Sequence, residues 1–450
     1  MIRRFLYLNF RVVHVIKSWI MKRFTKAGLL VLAGLVASAV VGLDTHQTLA
    51  YQAFTFLFAL VLTSIACGIL FRTRLTAQRK LPKFGTAEEP LSYRIVIKNR
   101  TQKGQLGLYL REELEAVYPS FEEFLAVREP GERKRNPFDR GVGYHRWLWL
   151  INRKQMARVS ERAIPELPSG GEEELRVRLV PLRRGRLTLH GLQIARTDPF
   201  GLWKSYKNIP IPQTLLVLPK RYPLPSIPLP GTRKYQPGGV ALASSVGDSE
   251  EFLSLRDYRP GDPLRRIHWK SWAKMGEPIV KEYQDEFFVR HALILDTFQE
   301  KDQSEILEEA LSVAASFAYT IQTQESLLDL MFVGTEAYCF TSGRGIAHVD
   351  RILEILASVR ACSDKPFSTL PALVMERASL LSGCICVLLS WDEERQELIH
   401  LLKALGLPVL VLVITDDEPP QALDPGPMKD DPENLRRLQV GKVMEGLARL

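Results

Sequence analysis

Residues 291–296 read HALILD, and the fold turns on what that short apolar run is. It is too short for an ordinary helix and lacks polar alternation, so a strand buried on both faces is expected. The pattern downstream agrees. Ser304–Gln322 puts Ile306, Ala310, Val313, Phe317 and Ile321 on one helical face. LLDLMFVG (327–334) is again a strand, HVDRILEILASVR (348–360) a helix and CICVLLS (384–390) a strand. RQELIHLLKALG (395–406) is a helix and PVLVLVI (408–414) a strand. Apolar strands alternating with amphipathic helices signal an α/β doubly wound domain over 289–415, a parallel sheet covered on both faces. What remains, 416–450, reads as a C-terminal tail.

Ligands on such sheets bind beyond the carboxyl ends of the strands, where Asp296 and Asp392 stand. Enzyme signatures are missing. GxxxxGK[ST], HExxH, GxSxG and C-x-x-C are all absent, and His268, His348 and His400 fall in different elements. The five cysteines, Cys67, Cys339, Cys362, Cys384 and Cys386, are odd in number and scattered, which fits a reducing compartment without disulfides. Cys384 and Cys386 share one strand face in an apolar run and lack the further ligands a zinc site needs, so buried structural cysteine is expected.

Upstream lies the densest segment of the chain, Glu250–Glu286, EEFLSLRDYRPGDPLRRIHWKSWAKMGEPIVKEYQDE. Pro260-Gly261-Asp262-Pro263 must turn, because proline removes a donor and restricts the residue before it. Two readings are open. Arg and Lys around a glycine turn suit an acidic ligand or partner, with Arg256, Tyr258, Asp262, Arg265, Arg266, His268, Trp269 and Lys270 as the binding set. Alternatively Arg256, Asp257, Arg259, Asp262 and Arg265 pair with one another as an interdomain clamp, the outcome expected for Arg265 and Asp262. Self-pairing is favoured for that pair by so many opposite charges in so short a stretch. Binding is favoured for Arg266, His268 and Lys270, which adjoin Trp269 with few acids nearby.

Further upstream the texture is β. LSYRIVIKN, ELRVRLVPL and GRLTLHGLQIA alternate between Gly and Pro punctuation, so a β-sandwich-like domain is expected over 84–224. A basic insert, 128–162, interrupts it with ten Lys/Arg against four acids, and carries Tyr144, Trp147 and Trp149. Three readings are open for it: a solvated loop whose aromatics cover one end of the sandwich, contact with phospholipid head groups, or contact with RNA. Residues 225–286 make a linker followed by the RDYRPGDPLRRIHWK motif, with a Pro-rich and then a Gly/Ser-rich stretch.

The N-terminal end supplies the address. After a basic segment, 1–26, two apolar stretches fall within 27–71: Ala27–Leu43 and Leu49–Phe71, of 17 and 23 residues without a charge. Both reach the ~17–25 residues that cross a bilayer, the first only just. Asp44–Thr48 between them has no Lys or Arg, while bases flank the pair on both sides. The positive-inside rule then puts both ends in the cytoplasm, giving a multi-pass cell-membrane protein with its bulk in the cytoplasm. A cleaved leader at Ala37-Ser38-Ala39 and a start at Met21 stand as alternatives for this end. The 450 residues carry 60 Lys/Arg against 51 acids, but residues 1–83 hold 12 of the bases and one acid. The body is therefore near neutral and no nucleic acid is expected as partner. Arg3 to Lys26 mixes bases with aromatics, which suits anionic lipid of the inner leaflet.

The central segment resembles the bacterial and archaeal family called domain of unknown function fifty-eight. The resemblance is carried by Arg256-x-Tyr258-x-Pro260-Gly261-Asp262-x-Leu264-Arg265-x-Ile267-x-Trp269-Lys270, by Asp198-Pro199-Phe200-Gly201-Leu202 and by the two apolar stretches. It implies a transmembrane helical hairpin, a β-domain and a von Willebrand factor A-like C-terminal domain. It also implies genes beside MoxR-type AAA+ ATPases and transglutaminase-like membrane proteins. It carries no known activity and no cofactor. Von Willebrand A domains typically end their first strand Asp-x-Ser-x-Ser around a magnesium ion. Here Phe298 and Glu300 replace both serines after Asp296, which leaves a degenerate site of Asp296, Glu300 and Asp392. The expected function is a membrane-anchored interaction or scaffold protein working with a MoxR-type AAA+ ATPase. A hydrolase or transglutaminase-like enzyme using the central motif is the alternative.

Overall fold

The computed structural model describes the chain except residues 1, 43–47, 72, 116, 130, 226–233, 236–251, 263, 284–286, 289, 301–303, 323–326, 343–345 and 417–422. The polar turn between the apolar stretches, much of the Pro-rich linker and the Gly/Ser stretch lie outside the described residues. The fold is mixed α and β, in two compact units, Met1–Val217 and Leu218–Leu450.

In the first unit, α1 (Ile2–Arg23) is followed by the apolar helices α2 (Lys26–Val41) and α3 (Thr48–Ile69), which pack on one another. Among the described residues one helix is long and apolar enough to cross a membrane, over Leu49–Ile69; α2 is shorter, at 16 residues. It begins one residue before the apolar stretch, capped by Thr25, whose hydroxyl accepts from the Gly28 N–H at 3.0 Å.

Nine strands follow: β1 (Leu75–Lys80), β2 (Phe84–Thr86), β3 (Leu91–Asn99), β4 (Leu108–Leu114), β5 (Ala157–Val159), β6 (Arg162–Ala163), β7 (Glu172–Pro181), β8 (Gly185–Thr197) and β9 (Lys204–Leu218). They form two sheets, ordered β1-β3-β7-β5 and β2-β9-β8-β4-β6. The first strand precedes residue 84, so the sheet starts earlier than the alternation from Leu91 indicated. Alternate residues of both sheets, among them Ile95, Ile97, Val177, Leu110, Leu189 and Ile194, bury into one apolar cluster.

Within that core sits an ion pair that no local pattern announced. Arg79 Nη2 donates to Glu112 at 2.7 Å, both side chains fully buried, and Tyr93 O–H donates to the same carboxylate at 2.6 Å. Arg79 Nη1 also reaches the Ile211 carbonyl at 2.9 Å. Arg79 and Tyr93 belong to one sheet, Glu112 and Ile211 to the other, so the network ties the two together.

Helix α4 (Phe121–Ala126) stands just before the basic insert, which carries two helices rather than a loop alone, α5 (Pro137–Val142) and α6 (Tyr144–Lys154). Helix α4 carries a full capping box, Ser120 with Glu123. Trp147 is buried outright, clustered with Leu150, Phe124 and, from α1, Phe10. The insert's aromatics thus receive α1. Tyr7 O–H donates to the Pro119 carbonyl at 2.6 Å, and His14 stacks edge-on to Trp147 at 5.2 Å.

The Asp-Pro-Phe-Gly-Leu-Trp corner (198–203) has a task that its sequence did not reveal. The Asp198 carboxylate accepts the N–H groups of Phe200, Leu202 and Trp203 at 2.6–3.0 Å and fixes the turn. The Leu202 carbonyl accepts the Thr25 N–H at 3.0 Å, and the Gly201 carbonyl accepts the Thr25 hydroxyl at 2.5 Å. Gly28 lies so close to the Leu202 carbonyl that any Cβ there would collide with it. Gly68, at the far end of α3, lies against Trp203 and Ser205. One corner therefore seats the adjoining ends of both apolar helices.

In the second unit, β10 (Lys234–Tyr235) precedes a hairpin of β11 (Phe252–Asp257), α7 (Trp269–Met275) and β12 (Ile279–Tyr283). A two-residue strand, β13 (Phe287–Phe288), pairs back to β10. The main sheet follows, with β14 (Arg290–Leu295), β15 (Leu327–Val333), β16 (Ala337–Ser342), β17 (Gly383–Leu388), β18 (Val409–Thr415) and β19 (Leu435–Gln439). Its order is β16-β15-β14-β17-β18-β19, parallel except for the β15–β16 hairpin. The helices are α8 (Glu305–Gln322), α9 (Ile346–Ser358), α10 (Thr369–Met375), α11 (Glu393–Ala404) and α12 (Val443–Leu447). Ala292, Ile294, Cys384 and Cys386 share a core with α10 and α11, and α8 lies against the opposite face. The apolar runs are strands with every residue of β14, β15 and β17 buried. The segment read as a tail contributes the edge strand β19, whose Leu-Arg-Arg-Leu-Gln pattern is too polar to announce a strand. Chain order reverses between β14 and β17, which makes the crevice beyond their carboxyl ends the topological switch point.

Candidate functional site

Two places gather the polar residues singled out in the sequence, and they are built in opposite ways. The first is the hairpin. Strands β11 and β12 pair antiparallel with Asp257 opposite Ile279 and Arg256 opposite Val280. The turn is then pinned by a carboxylate. Asp262 takes Arg256 in a two-pronged pair, Nη1 at 2.7 Å and Nη2 at 2.8 Å, and accepts the Arg259 N–H at 2.8 Å. Gly261 has φ of +108°, a conformation that side chains resist. These donors hold the Asp262 carboxyl down at about 2, the side-chain bond from Arg256 being the largest cause. Within the set of charges expected to pair among themselves, Arg256 is a partner of Asp262, reaching across the turn from the strand. The Arg265 side chain lies outside the described atoms.

After the turn, Leu264–Arg266 forms one 3-10 turn and Ile267 bridges to Val280, both of these buried. His268 caps α7, its N–H donating to the Ile279 carbonyl at 2.8 Å. Its Nδ1 lies 2.6 Å from the Ser271 hydroxyl. Among the described residues no hydrogen bond joins His268 to a carboxylate or a cysteine, so the orienting third group of a nucleophilic site is not assembled. Trp269 is 63% exposed and stacks on Trp272 with ring centroids 5.2 Å apart. Their i, i+3 spacing was the signal that they would meet on one helix face. Lys270 and Lys274 on α7 and Arg259 in the turn are exposed around them, Tyr258 and Arg266 half-buried. The hairpin thus brings Arg256 and Asp262 together as a brace and presents Trp269, Trp272, Lys270 and Lys274 on a short helix, with Arg259 exposed in the turn. Such a surface suits a partner with apolar and acidic groups.

The second place is the switch point. Asp296 is wholly buried at the end of β14. Its carboxylate accepts Phe298 N–H at 2.9 Å, Leu389 N–H at 3.1 Å and Arg395 Nε at 3.0 Å. Arg395 also donates to Asp392 at 2.7 Å and lies over the Phe367 ring at 4.3 Å. Asp392 in turn caps α11 through the Arg395 N–H. Burial pushes the Asp296 carboxyl up, against the pull of Arg395 and the two backbone donors. A guanidinium therefore lies between the two carboxylates that a magnesium ion would need, and the residues do not fit that ion. Among the described residues no group of three or more His, Cys, Asp or Glu is placed to hold a metal. Sequence reading picked out Asp296 and Asp392 but missed Arg395, which stands 99 residues from Asp296. It also missed Arg290–Asp329, a buried pair at 2.8 Å in which Arg290 opens β14.

The hairpin and the main sheet both fall inside a single family match. Residues 254–442 match the family described as Protein of unknown function DUF58. The DUF58 match begins in β11 and ends just after β19, so it takes in both sites. Over 194 residues the chain is 25% identical to "Uncharacterized protein YeaD" of Bacillus subtilis, covering 42% of this chain and 46% of that one. The match thus spans less than half the length of that relative. Among solved structures, a CARDB domain of PF1109 from Pyrococcus furiosus is 10% identical with a TM-score of 0.16. It covers 32% of this chain and 93% of that one. The PapD-like domain 7 of human CEP192 is 12% identical with a TM-score of 0.18, covering 32% and 86%. No conclusion rests on structural likenesses of that size.

Proposed function

We propose that this chain is a membrane-anchored scaffold that docks a partner protein through its β11–α7–β12 hairpin. In this reading α2 and α3 form a multi-pass anchor with both ends in the cytoplasm, as the basic flanks demand. The nine-strand unit is β-sandwich-like, and the six-stranded unit is a von Willebrand A-like domain that has traded its metal for Arg395. The partner is a MoxR-type AAA+ ATPase, with a transglutaminase-like membrane protein in the same assembly, as the family resemblance implies. The observation that carries the docking role is exposed Trp269, stacked on half-buried Trp272, on the helix that follows the turn braced by Arg256–Asp262. Exposed tryptophans cost solvation unless something covers them, and tryptophan is the residue most enriched at binding hot spots.

The test is direct binding of the purified full chain, in detergent, to the MoxR-type ATPase of the same genome, measured by calorimetry. Trp269→Ala is expected to weaken binding by about 30-fold, the ~2 kcal/mol threshold of a hot spot. Unchanged affinity in both Trp269→Ala and Trp272→Ala would remove the hairpin from the docking role.

A further inference from the structure

Helix α1 has two apolar faces, and the fold uses one. Tyr7, Phe10 and His14 face the insert, where Phe10 is buried against Phe124 and Trp147. The opposite side carries Phe5, Leu8, Val12, Val15, Ile16 and Trp19 at helical spacing, all between 46% and 66% exposed, with Trp19 also meeting another ring, Trp203, edge-on at 5.6 Å. Arg4, Arg11 and Lys22 follow one flank of this stripe, at separations of seven and eleven residues that return to the same side of a helix; Arg4 is exposed, while Arg11 lies over the Tyr118 ring at 5.3 Å and half-buried Lys22 over the Tyr206 ring at 4.8 Å. Residues 2–23 contain six Lys/Arg and no acid.

The occupant is indicated by continuity. After α1 the chain passes through Phe24 and Thr25, held to the 198–203 corner, straight into α2, and α3 returns to Trp203 in that corner. The uncovered stripe therefore belongs to the helix that adjoins the ends of both apolar helices. A helix with one apolar stripe, a cationic flank and a tryptophan lies in the headgroup layer of a bilayer. Basic residues there gain from anionic lipid, which attracts each nearby Lys or Arg.

We infer that α1 is an interfacial helix that lies on an anionic bilayer through Phe5, Leu8, Val12, Val15, Ile16 and Trp19, and so fixes the β-unit against the membrane surface. The inference rests on the membrane-anchored reading, and the experiment separates the two. The full chain is reconstituted, at high lipid excess, into vesicles of phosphatidylcholine alone or mixed equally with phosphatidylglycerol. Variants Leu8→Cys, Val12→Cys, Phe56→Cys and Glu174→Cys are reacted with a water-soluble maleimide, and labelling is read peptide by peptide by mass spectrometry. Glu174 is on an exposed strand face and counts the chains open to reagent; Phe56, within α3, reports the anchor. The stripe positions are expected to label at least about tenfold more slowly than Glu174→Cys in the anionic vesicles, and measurably faster in phosphatidylcholine alone. Stripe positions labelling as fast as Glu174→Cys while Phe56→Cys stays protected would overturn the inference and leave the anchor standing. Rapid labelling of Phe56→Cys would bring down the anchor and the inference with it. Protection equal in both lipids, or lost on further dilution into lipid, would replace anionic lipid by neutral lipid or by a second copy of the chain.

Discussion

Asp262 and Asp296 each take an arginine on both carboxylate oxygens, and they lie only 34 positions apart. In the hairpin the pair sits near the surface, with 33% and 16% of the arginine and aspartate side chains exposed; at the switch point those figures are 9% and 0%. The same chemistry then has opposite consequences. Water still serves Asp262, so the arginine and the Arg259 N–H win and its carboxyl is held down. Asp296 has lost its water, so burial wins and its carboxyl is pushed up. One pair shapes a turn that can be seen by a partner; the other fills the crevice in which an α/β sheet ordinarily keeps its ligand.

The sharpest way to break this contrast is to remove one carboxylate at a time. Asp296→Ala leaves the buried Nε side of Arg395 and the Phe298 and Leu389 N–H groups without their carboxylate, only Asp392 remaining for the guanidinium, and is expected to cost ~3 kcal/mol, read as a fall in the denaturation midpoint of the second unit. Replacing both partners, Asp296→Leu with Arg395→Met, is expected to recover part of that loss, because the unpaired charge is the main penalty. Equal losses in the single and double variants would show that the crevice tolerates no rearrangement and that Arg395 is not merely a counter-charge.

Asp262→Ala is expected to act elsewhere. The surface pair is screened by solvent, so the thermal midpoint by scanning calorimetry should stay within the scatter of the parent chain. Partner binding should fall nonetheless, because the turn that aims α7 has lost its brace. A melting loss as large as that of Asp296→Ala would mean that the hairpin is part of the unit's core, as the clamp reading of the sequence demanded.

How far each site was legible follows from how local its causes are. HALILD and PVLVLVI announce buried strands by themselves, since a strand with two covered faces needs only apolar residues. The Trp269–Trp272 stack is legible from three residues of spacing. Arg395 was not, because its partner is brought to it by the sheet's reversal of order, which no window of sequence contains. Glu112 was hidden for the same reason: in Leu108–Leu114 it falls on the inward phase of Leu108 and Leu110, where a carboxylate makes no sense until the other sheet supplies Arg79. Trp147 misled in the other direction, since bases around an aromatic read as a surface until α1 is seen to cover it.

The smallest effect is also the most local, and it probes the carboxyl itself. The ordinary aspartate value is 3.8, and Asp262 is held at about 2 by Arg256 and the Arg259 N–H. A lowered value means that the folded turn binds the proton less readily than the unfolded chain does. The brace is therefore complete above pH 3.8, weakens as the pH falls below it, and is gone once the pH has passed below about 2. Carboxyl carbon NMR of the full chain labelled at aspartate should place the Asp262 midpoint at about 2. In Arg256→Gln, with the largest cause removed and the Arg259 N–H retained, the midpoint should climb toward 3.8 while staying below it. Asp296, titrated in the same spectra, should move the other way, above the ordinary value, because its surroundings exclude water whether or not the hairpin is intact. A parent chain in which both carboxyls titrate together near 3.8 would erase the contrast between a presented pair and a buried one.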